Sequence, residues 1–493
     1  MTSETQPAQV VSVPAADSQF EAGEAGGRVI RGGTLRAAGA LAGVLAGAVS
    51  APLVVRHLGA TSFGHYLTVT SIIFIVTALT EGGLANVAVR QYSVGDTGQR
   101  RSLIANLTGL RLALGVLGAA LAIGFGALAG YPHVIVVGLV LGSVGYVLAG
   151  VQGSYSVALN GTLRLSALAG IDMLRSLSTS LLLIALVLGG SELTGFYTVT
   201  VVVQALALVV TAMLVRHDVP LMPAFDRASW RELARETALY ALAATIGVIY
   251  FQVALITMSL LDPGPQTGFY AIAFRIVEIV NGIPWLLAGS VLPVLALAAA
   301  NDRERLRFVA GRVFEGAVVA GGWVAVVLIV GARFGIDIVA GAKGHPSIAV
   351  LRIMGVGVTA TFIVSSWGFV LLSLRQYRQL VMANLGALVL AIALSLVLIP
   401  ALHARGGAIT TAVLELVLAG SYMAFLSRHE IFAPKRFVAC FALAIALGMG
   451  VGLLALSINA VFAVLVASVV YFGALWLLGA IPSELIDALP WRK

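Results

Sequence analysis

The residues of this 493-residue sequence that could do chemistry are charged side chains that interrupt long apolar stretches. These stretches run to roughly 20 residues, the length that crosses a bilayer as a helix. A charge at mid-bilayer costs about 2.5–3.5 kcal/mol on insertion scales, so it must face a bundle interior or a wet cavity. Such residues stand clear of the ends of the stretches at Glu81, Arg111, Asp172, Arg175, Arg275, Glu278, Glu315, Arg352 and Glu415.

Four of these charges form two couples with i,i+3 spacing, Asp172/Arg175 and Arg275/Glu278, and this spacing puts both members of a couple on one helix face. One interpretation is a pair of salt bridges that hold helices together. The other is a hydrated central cavity whose arginines bind an anionic substrate, because guanidinium matches phosphate in a two-pronged geometry.

Position separates the cavity candidates from residues near the membrane interface. Arg352 is close enough to the end of its stretch to reach the interface, and Glu81 and Glu315 also lie toward an end. The predicted substrate-binding residues are therefore Arg275, Glu278, Arg111, Asp172, Arg175 and Glu415. Pro284 and Pro293 interrupt the apolar stretch after Glu278, with Gly282 and Gly289 flanking the first break, and are predicted either to be a hinge or to form a static kink.

The composition is that of a membrane protein. The chain is 59% hydrophobic and 11% charged, and its mean hydropathy is +1.01. Repeated apolar runs must be helices, since lipid leaves no other partner for backbone polar groups. We therefore predict an all-α polytopic membrane protein with about 14 transmembrane helices. The predicted spans are 34–55, 64–89, 103–128, 133–158, 166–188, 195–215, 234–261, 268–298, 308–331, 347–373, 377–400, 406–427, 436–456 and 459–481.

The spans divide the chain into five parts. Residues 1–33 are predicted to be a disordered cytoplasmic tail, since the first 27 are polar and acidic. Two six-helix bundles follow at 34–215 and 234–427, joined by a cytoplasmic linker at 216–233. Residues 428–493 add two further helices and a short cytoplasmic tail.

The distribution of basic residues sets the orientation. The net charge of +8 does not indicate nucleic acid as a partner, because Lys and Arg sit mostly in short loops and at span ends. With the N-terminus inside, 22 of the 30 Lys and Arg residues fall on the inner side and four on the outer side. Cytoplasmic loops carry such an excess. We therefore predict that both termini are cytoplasmic.

The two bundles share a faint repeat. "GHYLTVTSI" at 64–72 opens the second predicted span, and "GFYAIAFRI" at 268–276 opens the second span of the later half. A repeat in which both halves have the same orientation predicts two bundles related by a pseudo-two-fold axis along the membrane normal, with a cavity between them.

Three longer segments carry a resemblance to a known family. They are "VVRHLGATSFGHYLTVTSIIFIVTALTEGGLANVAVRQ" at 54–91, "TGFYAIAFRIVEIVNGIPWLLAGSVLPVLA" at 267–296, and 364–415 with its Pro-ended helix, Gly-rich outer turn and Glu. Together they resemble the oligosaccharide (O-antigen-type) flippases of the multidrug/oligosaccharidyl-lipid/polysaccharide exporter superfamily. The chain departs from the commoner 12-span pattern of that family in its two extra C-terminal helices and its acidic N-terminal tail.

The resemblance implies a flippase that moves an isoprenoid-pyrophosphate-linked oligosaccharide from the inner to the outer leaflet of a bacterial cell membrane. On this view Arg275 meets the pyrophosphate or acidic sugars, and Glu278 holds its guanidinium when the cavity is empty. The resemblance also implies partners: glycan polymerases or glycosyltransferases of the same pathway, and membrane lipid. Movement of a cation across the membrane is a candidate for driving transport.

Other functions remain open or are disfavoured by the residues. A cation-coupled multidrug exporter needs a carboxylate-dominated cavity, whereas arginines accompany the carboxylates here. The lipid II flippase is a relative whose 14 spans fit. The sequence has no Walker-type loop, no cysteine or histidine cluster for a metal and no large loop for a catalytic site, so neither an enzyme nor a cofactor is expected.

The span count generates a direct topology test. Reporter fusions at Lys493 and after Asp262 should give opposite readings, because an even number of spans returns the C-terminus to the inner side whereas Asp262 follows an odd number. The same reading at both positions would overturn the count.

Overall fold

The computed structural model describes residues 15–428 and 435–480, and its regular structure there is helical. A helix satisfies its own backbone groups, which lipid cannot do. The helices are α1 Ala15–Glu81, α2 Leu84–Val94, α3 Thr97–Leu128, α4 His133–Gly161, α5 Leu165–Leu188, α6 Leu193–Val215, α7 Arg227–Leu261, α8 Pro265–Asn301, α9 Arg303–Val330, α10 Ala332–Val339, α11 Ser347–Ser373, α12 Tyr377–Leu402, α13 Ala404–Ser427, α14 Lys435–Ala455 and α15 Ala460–Leu477.

Within the described residues, 11 helices are long and apolar enough to cross a membrane, and Thr245–Leu261 is a shorter apolar helix. One of the 11, Ala46–Val94, covers part of the predicted span 34–55 and all of the predicted span 64–89. The protein is thus an all-helical, multi-pass membrane protein, and the exact count of 14 stays a prediction.

Glycines produce two breaks, one near 56–63, between the first two predicted spans, and one after Glu81, inside the span predicted at 64–89. Gly59 has φ 71° and ψ 174°, which interrupts α1 between the first two predicted spans. Gly83, with φ 77°, separates α1 from α2. A residue with a Cβ adopts such positive φ only with strain, so glycine is the residue that suits both corners.

The N-terminal segment differs from the expected disordered tail in part. Helix α1 already begins at Ala15, so residues 15–33 are helical. The segment contains Ala, Glu and Gln, all good helix formers, and it leads directly into an apolar helix. Residues 1–14, 429–434 and 481–493 of the predicted tails and connections lie outside the described residues.

Side-chain caps start several of the helices at the membrane surface. Asp96 and Gln99 form a reciprocal capping box at the start of α3. In the linker, Asp226 accepts hydrogen bonds from the Ala228 and Ser229 backbone N–H groups. A hydrogen bond from the Ser229 hydroxyl, together with these two backbone bonds, lowers the pKa of the Asp226 carboxyl. The caps fix where the chain leaves the surface and enters the next helix.

Buried apolar clusters occur within each half and between them. We call α1–α6 the first half and α7–α13 the second half. Helices α14 and α15 pack on α9, where the Tyr471 hydroxyl donates to the Val319 carbonyl at 2.9 Å. A separate cluster joins the halves, and it includes Phe63 of α1 with Tyr270 and Phe274 of α8.

The two glycines of the sequence repeat meet at this seam between the halves. A Cβ on Gly64 would lie 2.9 Å from the Gly268 nitrogen, and a Cβ on Gly268 would lie 2.1 Å from the Ala60 carbonyl oxygen. Equivalent positions of two halves become neighbours when a two-fold axis passes between them. The contact is compatible with an axis that runs close to these two glycines, and the relation of the halves by such an axis stays a prediction.

The close approach of the two backbones at the seam predicts that one added methyl group lowers the stability of the protein. Gly268→Ala should destabilise the protein by about 1–3 kcal/mol, because the added Cβ overlaps rigid backbone of α1. Gly282→Ala on the same helix is the matched control, since a Cβ there meets nothing within 4 Å. Equal midpoints of thermal unfolding for the two variants in detergent would refute the close contact.

Candidate functional site

The predicted site residues lie in three places: at the seam between the halves, in a cavity of the first half, and in the interior of the second half. At the seam, the Arg275 guanidinium Nη1 contacts the Glu278 carboxylate Oε2 at 2.5 Å. The two side chains retain 37% and 30% of their accessible surface. The i,i+3 couple is therefore formed, and it remains open to a ligand or solvent.

One aromatic side chain of the first half, Tyr66, lies close enough to this couple to interact with both of its charges. Arg275 and Glu278 both act electrostatically on the Tyr66 hydroxyl of α1. The Tyr66 ring stacks on Tyr197 of α6, with 6.0 Å between centroids. The charged couple of α8 thus lies against the first half, where relative movement of the halves would change its surroundings.

Asn281 belongs to the same part of α8 and was not predicted from the sequence. It is 7% exposed, and its Oδ1 atom is buried without a hydrogen-bond partner. Because it stands one helical turn beyond Glu278, the spacing of three that identifies the Arg275/Glu278 couple also identifies Asn281. Asn281 is an amide and lacks the charge that distinguishes the other candidates within an apolar stretch.

A cavity of about 230 Å³ lies inside the first half, between α2, α3, α4 and α5. We call it the first-half cavity; its polar lining residues are Arg111, Gln152, Ser156, Asn160, Asp172 and Arg175. All the residues that line it belong to the first half, so Arg111, Asp172 and Arg175 come together there and Arg275, Glu278 and Glu415 do not.

Arg111, which lines the first-half cavity, forms an ion pair with a residue of another helix. The Arg111 Nη2 atom of α3 contacts Glu81 Oε2 at the end of α1 at 2.7 Å, and the Arg111 side chain is only 2% exposed. The other two guanidinium nitrogens, Nε and Nη1, are buried without a hydrogen-bond partner. Glu81, which sequence position favours as an interfacial residue, is thus the partner of a buried arginine.

Two glycines of α4 make room for this pair. A Cβ on Gly153 would lie 2.8 Å from Arg111 Nη1, and a Cβ on Gly150 would lie 3.1 Å from Glu81 Oε1. A larger residue at either position would displace a charged group from its place. The couple Asp172/Arg175 is looser than the buried pair, with 3.9 Å between Oδ1 and Nη1 and side chains 43% and 37% exposed.

Glu415 of α13 is buried in the second half, where it is 3% exposed. The Thr361 hydroxyl bonds its carboxyl group, whereas its Oε2 atom has no partner. Tyr422 lies nearby and donates to Asn384 Oδ1 at 3.2 Å. A carboxyl group in such a place is stable when it is protonated or when it meets a cation.

The remaining predicted charges, Glu315 and Arg352, each have a partner nearby. Glu315 accepts a bond from Arg312 at 2.9 Å. Arg352 Nε donates to the Ile329 carbonyl oxygen at 3.3 Å, at the C-terminal end of α9, where a cation also meets the negative end of the helix dipole.

The proline-containing part of α8 is helical from Pro265 to Asn301. Pro284 is buried, whereas the side chain of Pro293 lies outside the described residues. The role of these prolines as a hinge stays a prediction. Within the part of the chain that the structure describes, no three His, Cys, Asp or Glu side chains are grouped to hold a metal ion.

Comparison with known proteins identifies relatives of this arrangement. The model of a family described as polysaccharide biosynthesis protein matches residues 29–298. No curated protein sequence matches the chain. The fold is similar to that of the lipid II flippase MurJ in an inward closed conformation, with a TM-score of 0.76 and 12% identity over 92% of this chain and 100% of that chain.

Two transporter structures also share the fold. An inward-facing multidrug resistance MATE family transporter of the MOP superfamily has a TM-score of 0.67 and 15% identity, over 78% of this chain and 94% of that chain. A MOP superfamily transporter from Pyrococcus furiosus, described by the reverse polarity of its binding pocket, has a TM-score of 0.51 and 14% identity, over 82% and 94%.

The burial of Arg111 predicts a large difference between two ion pairs. Arg111→Ala should destabilise the protein by about 3–5 kcal/mol, because it leaves Glu81 as an uncompensated charge. Arg164→Ala breaks the exposed pair with Asp218, whose side chains are 48% and 37% exposed, and should cost about 0–1 kcal/mol. Thermal unfolding in detergent measures both. Adding Glu81→Gln to Arg111→Ala should recover part of the loss; no recovery would contradict the pairing.

Proposed function

Because this chain belongs to the polysaccharide biosynthesis protein family, we propose that it is a flippase for an isoprenoid-pyrophosphate-linked oligosaccharide. It moves this substrate from the inner to the outer leaflet of a bacterial cell membrane by alternating access. The observation that carries the proposal is Arg275, an arginine about one-third exposed that lies deep in a helix at the seam between two halves.

The position of Arg275 suits recognition of a pyrophosphate. It stands ten residues into α8, which is about 15 Å along the helix axis. Its partner Glu278 keeps the guanidinium in place and neutralised while no substrate is bound, since an isolated charge at that depth is costly. A pyrophosphate offers a second partner, and guanidinium binds phosphate oxygens in a two-pronged geometry.

The seam supplies the moving parts of the proposed cycle. Contact of Gly64 with Gly268 holds α1 and α8 together on the side predicted to face outward. On the same side, Arg56 of α1 donates to the Asp337 carbonyl of α10 at 2.8 Å. Release of the substrate to the outer leaflet requires these contacts to separate, and loading from the inner leaflet requires them to form.

Glu415 is the residue that we assign to coupling. It is a buried carboxyl group without a salt-bridge partner among the described residues. Binding of a proton or another cation would remove its charge. The loss of charge would favour either the inward-facing or the outward-facing orientation of the second half. The coupling cation would enter from the side of the membrane on which Glu415 is accessible.

The pathway and the membrane follow from the substrate class. Glycosyltransferases build a lipid-linked oligosaccharide on the inner face, and a glycan polymerase or ligase uses it on the outer face, as in lipopolysaccharide synthesis. The flippase itself needs no catalytic residue, because no bond of the substrate changes. Both termini are then cytoplasmic.

Proteins with this fold suggest two alternative substrates, lipid II and a cationic drug. Lipid II also carries a pyrophosphate between a lipid and sugars, so the Arg275 couple would serve it equally well. A cationic drug would instead be attracted to Glu415. Transport measured with a lipid-linked oligosaccharide, lipid II and a cationic dye separates the three.

The Arg275 assignment is tested by substitution. Arg275→Ala should abolish export of the glycan while the protein still inserts and accumulates, and Arg275→Lys should be intermediate because it keeps the charge but loses the bidentate geometry. Export is measured as surface glycan in a strain that depends on this gene, with protein abundance measured in membranes.

A matched control is available on α9. Arg312 also forms an i,i+3 pair, with Glu315, and its side chain is 39% exposed against 37% for Arg275. Arg312→Ala should leave export at the wild-type rate. If Arg275→Ala lowers abundance instead, the couple is structural; if Arg275→Ala accumulates and exports normally, Arg275 is not a substrate contact.

A further inference from the structure

Helix α7 has one flank that faces lipid. Leu242 and Leu260 are 51% and 41% exposed, and they stand five helical turns apart, so both lie on the same flank. Phe251 stands two and a half turns from each, on the opposite flank, where its ring packs against Phe274 of α8 with 5.1 Å between centroids. The flank of Leu242 and Leu260 therefore points away from α8 and toward the bilayer.

Helix α12 has a similar lipid-facing flank. Its large exposed apolar residues follow one another at steps of three and four, which places them in one stripe along the helix. They are Met382, Leu385, Val389, Ile392 and Leu396, each between 42% and 62% exposed. No charged residue interrupts this stripe, so it is a surface that acyl chains cover.

The two flanks border one groove. Helices α7 and α12 are in contact, since a Cβ on Gly247 would lie 3.5 Å from the Asn384 Nδ2 atom. Both helices run from the predicted cytoplasmic side outward, so their side chains turn in the same sense. Leu242 stands about 140° before Gly247 around α7, and Leu385 stands about 100° after Asn384 around α12. Both flanks therefore lie on the same side of the helix pair, with a lipid-facing groove between them.

Arginines stand at the predicted cytoplasmic end of both flanks. Arg235 precedes Leu242 by seven residues and Arg378 precedes Met382 by four, so each arginine continues the flank of its own helix. Both arginines are exposed. Among the described residues, neither side chain has a hydrogen-bond or ion-pair partner. Two guanidinium groups are thus free to bind a ligand that lies in the groove.

Contact with α3 keeps this end of α7 at the level of the lipid headgroups. The Trp230 Nε1–H group donates to the Asn106 carbonyl oxygen at 3.0 Å, and Asn106 is near the start of the span predicted at 103–128. Tryptophan is enriched at this level of membrane proteins. Arg235, little more than one turn further along α7, therefore lies where the phosphates of the inner leaflet are.

The register of the two helices lets both arginines reach one headgroup. Counted from the contact of Gly247 with Asn384, Arg235 is 12 residues back and Arg378 is six residues back. The difference of six residues is about 9 Å along the helix axis. Long arginine side chains lie along apolar surface and carry their charged heads to the interface, which closes a gap of this size.

The acidic side chains nearby do not cancel the charge of the groove. Residues 226–236 contain three arginines and three acidic residues. One of these acids, Glu236, is paired with a fourth arginine, Arg90, at 2.8 Å. Helices α11 and α12 contain no Asp or Glu, so Arg375 and Arg378 add two uncompensated charges. Six arginines less three acidic residues leave a net charge of +3, which attracts an anionic lipid, whereas a zwitterionic lipid brings no net charge.

We propose that the groove between α7 and α12 binds an anionic phospholipid of the inner leaflet, with Arg235 and Arg378 on its phosphate. The acyl chains of this lipid lie along Leu242 and Met382. Guanidinium groups meet phosphate oxygens in a two-pronged geometry, which holds the headgroup in one place. The bound molecule is a lipid of the membrane itself and not the transported substrate, so the proposal does not depend on Arg275.

Photoactivatable lipids test the site in the full-length protein. The protein is reconstituted in phosphatidylcholine nanodiscs with a trace of phosphatidylglycerol or of phosphatidylcholine that carries a diazirine in its acyl chain. Mass spectrometry measures crosslinks to peptides that contain Leu242 or Met382. Phosphatidylglycerol should crosslink there at least about fivefold more than phosphatidylcholine, because each arginine near an anionic headgroup contributes about that factor. Equal yields would overturn the proposal. So would loss of the preference on addition of inorganic phosphate but not of chloride at the same ionic strength, because the groove would then take free phosphate.

Two double variants locate the binding. Arg235→Gln with Arg378→Gln should bring the two crosslinking yields to within about twofold of each other, because the phosphate loses both of its partners. Arg303→Gln with Arg305→Gln is the matched control: it removes two exposed arginines from the predicted cytoplasmic end of α9 and should keep the preference. A wild-type preference in the first variant would overturn the proposal, and so would an equal loss in the control, which would indicate general attraction to the protein. The readout needs no transport, so it stands whether or not the chain is a flippase.

Discussion

The cost of an unpaired charge inside a membrane is the constraint on which this structure depends. Each intramembrane arginine described here has an oxygen partner: Arg111 has Glu81, Arg275 has Glu278, Arg175 has Asp172, and Arg352 has the end of α9. These pairs differ in how much of the surface they leave open. The Arg111 pair is almost closed, whereas the Arg275 couple is one-third exposed. Pairing makes the charges tolerable, and exposure decides which of them a ligand can reach.

Small residues determine where the halves and the helices can come close. Gly64 and Gly268 allow backbone contact at the seam, and Gly150 and Gly153 admit the Arg111–Glu81 pair against α4. In lipid, helices gain little from hydrophobic burial, so close packing carries much of their association. The seam glycines bring the two backbones into direct contact beside the apolar cluster of Phe63, Tyr270 and Phe274 that also joins the halves. In the proposed transport cycle, these contacts would separate and form again.

The sequence predicted the parts of this account that depend on local pattern. The length of the apolar stretches predicted a helical membrane protein. The i,i+3 spacing of charged residues predicted the Arg275/Glu278 and Asp172/Arg175 couples. It could not place Glu81 beside Arg111, because the two are 30 positions apart on helices whose packing no local pattern specifies. The sequence also predicted that the charged residues surround one central cavity. In the structure they lie in three places: the seam, the first-half cavity and the second half. Asn281 was missed because an amide leaves no charge signal.

Translocation in sealed proteoliposomes tests the central claim most directly. The purified protein is reconstituted with a fluorescent isoprenoid-pyrophosphate-linked oligosaccharide in both leaflets, and a membrane-impermeant glycosidase is added outside. The account predicts that cleavage continues beyond the outer-leaflet fraction until nearly all the substrate is reached, with Arg275→Ala vesicles stopping at that fraction. If wild-type vesicles also stop at the outer-leaflet fraction, with and without a cation gradient, and instead move a cationic dye, the chain is not a flippase for lipid-linked glycans.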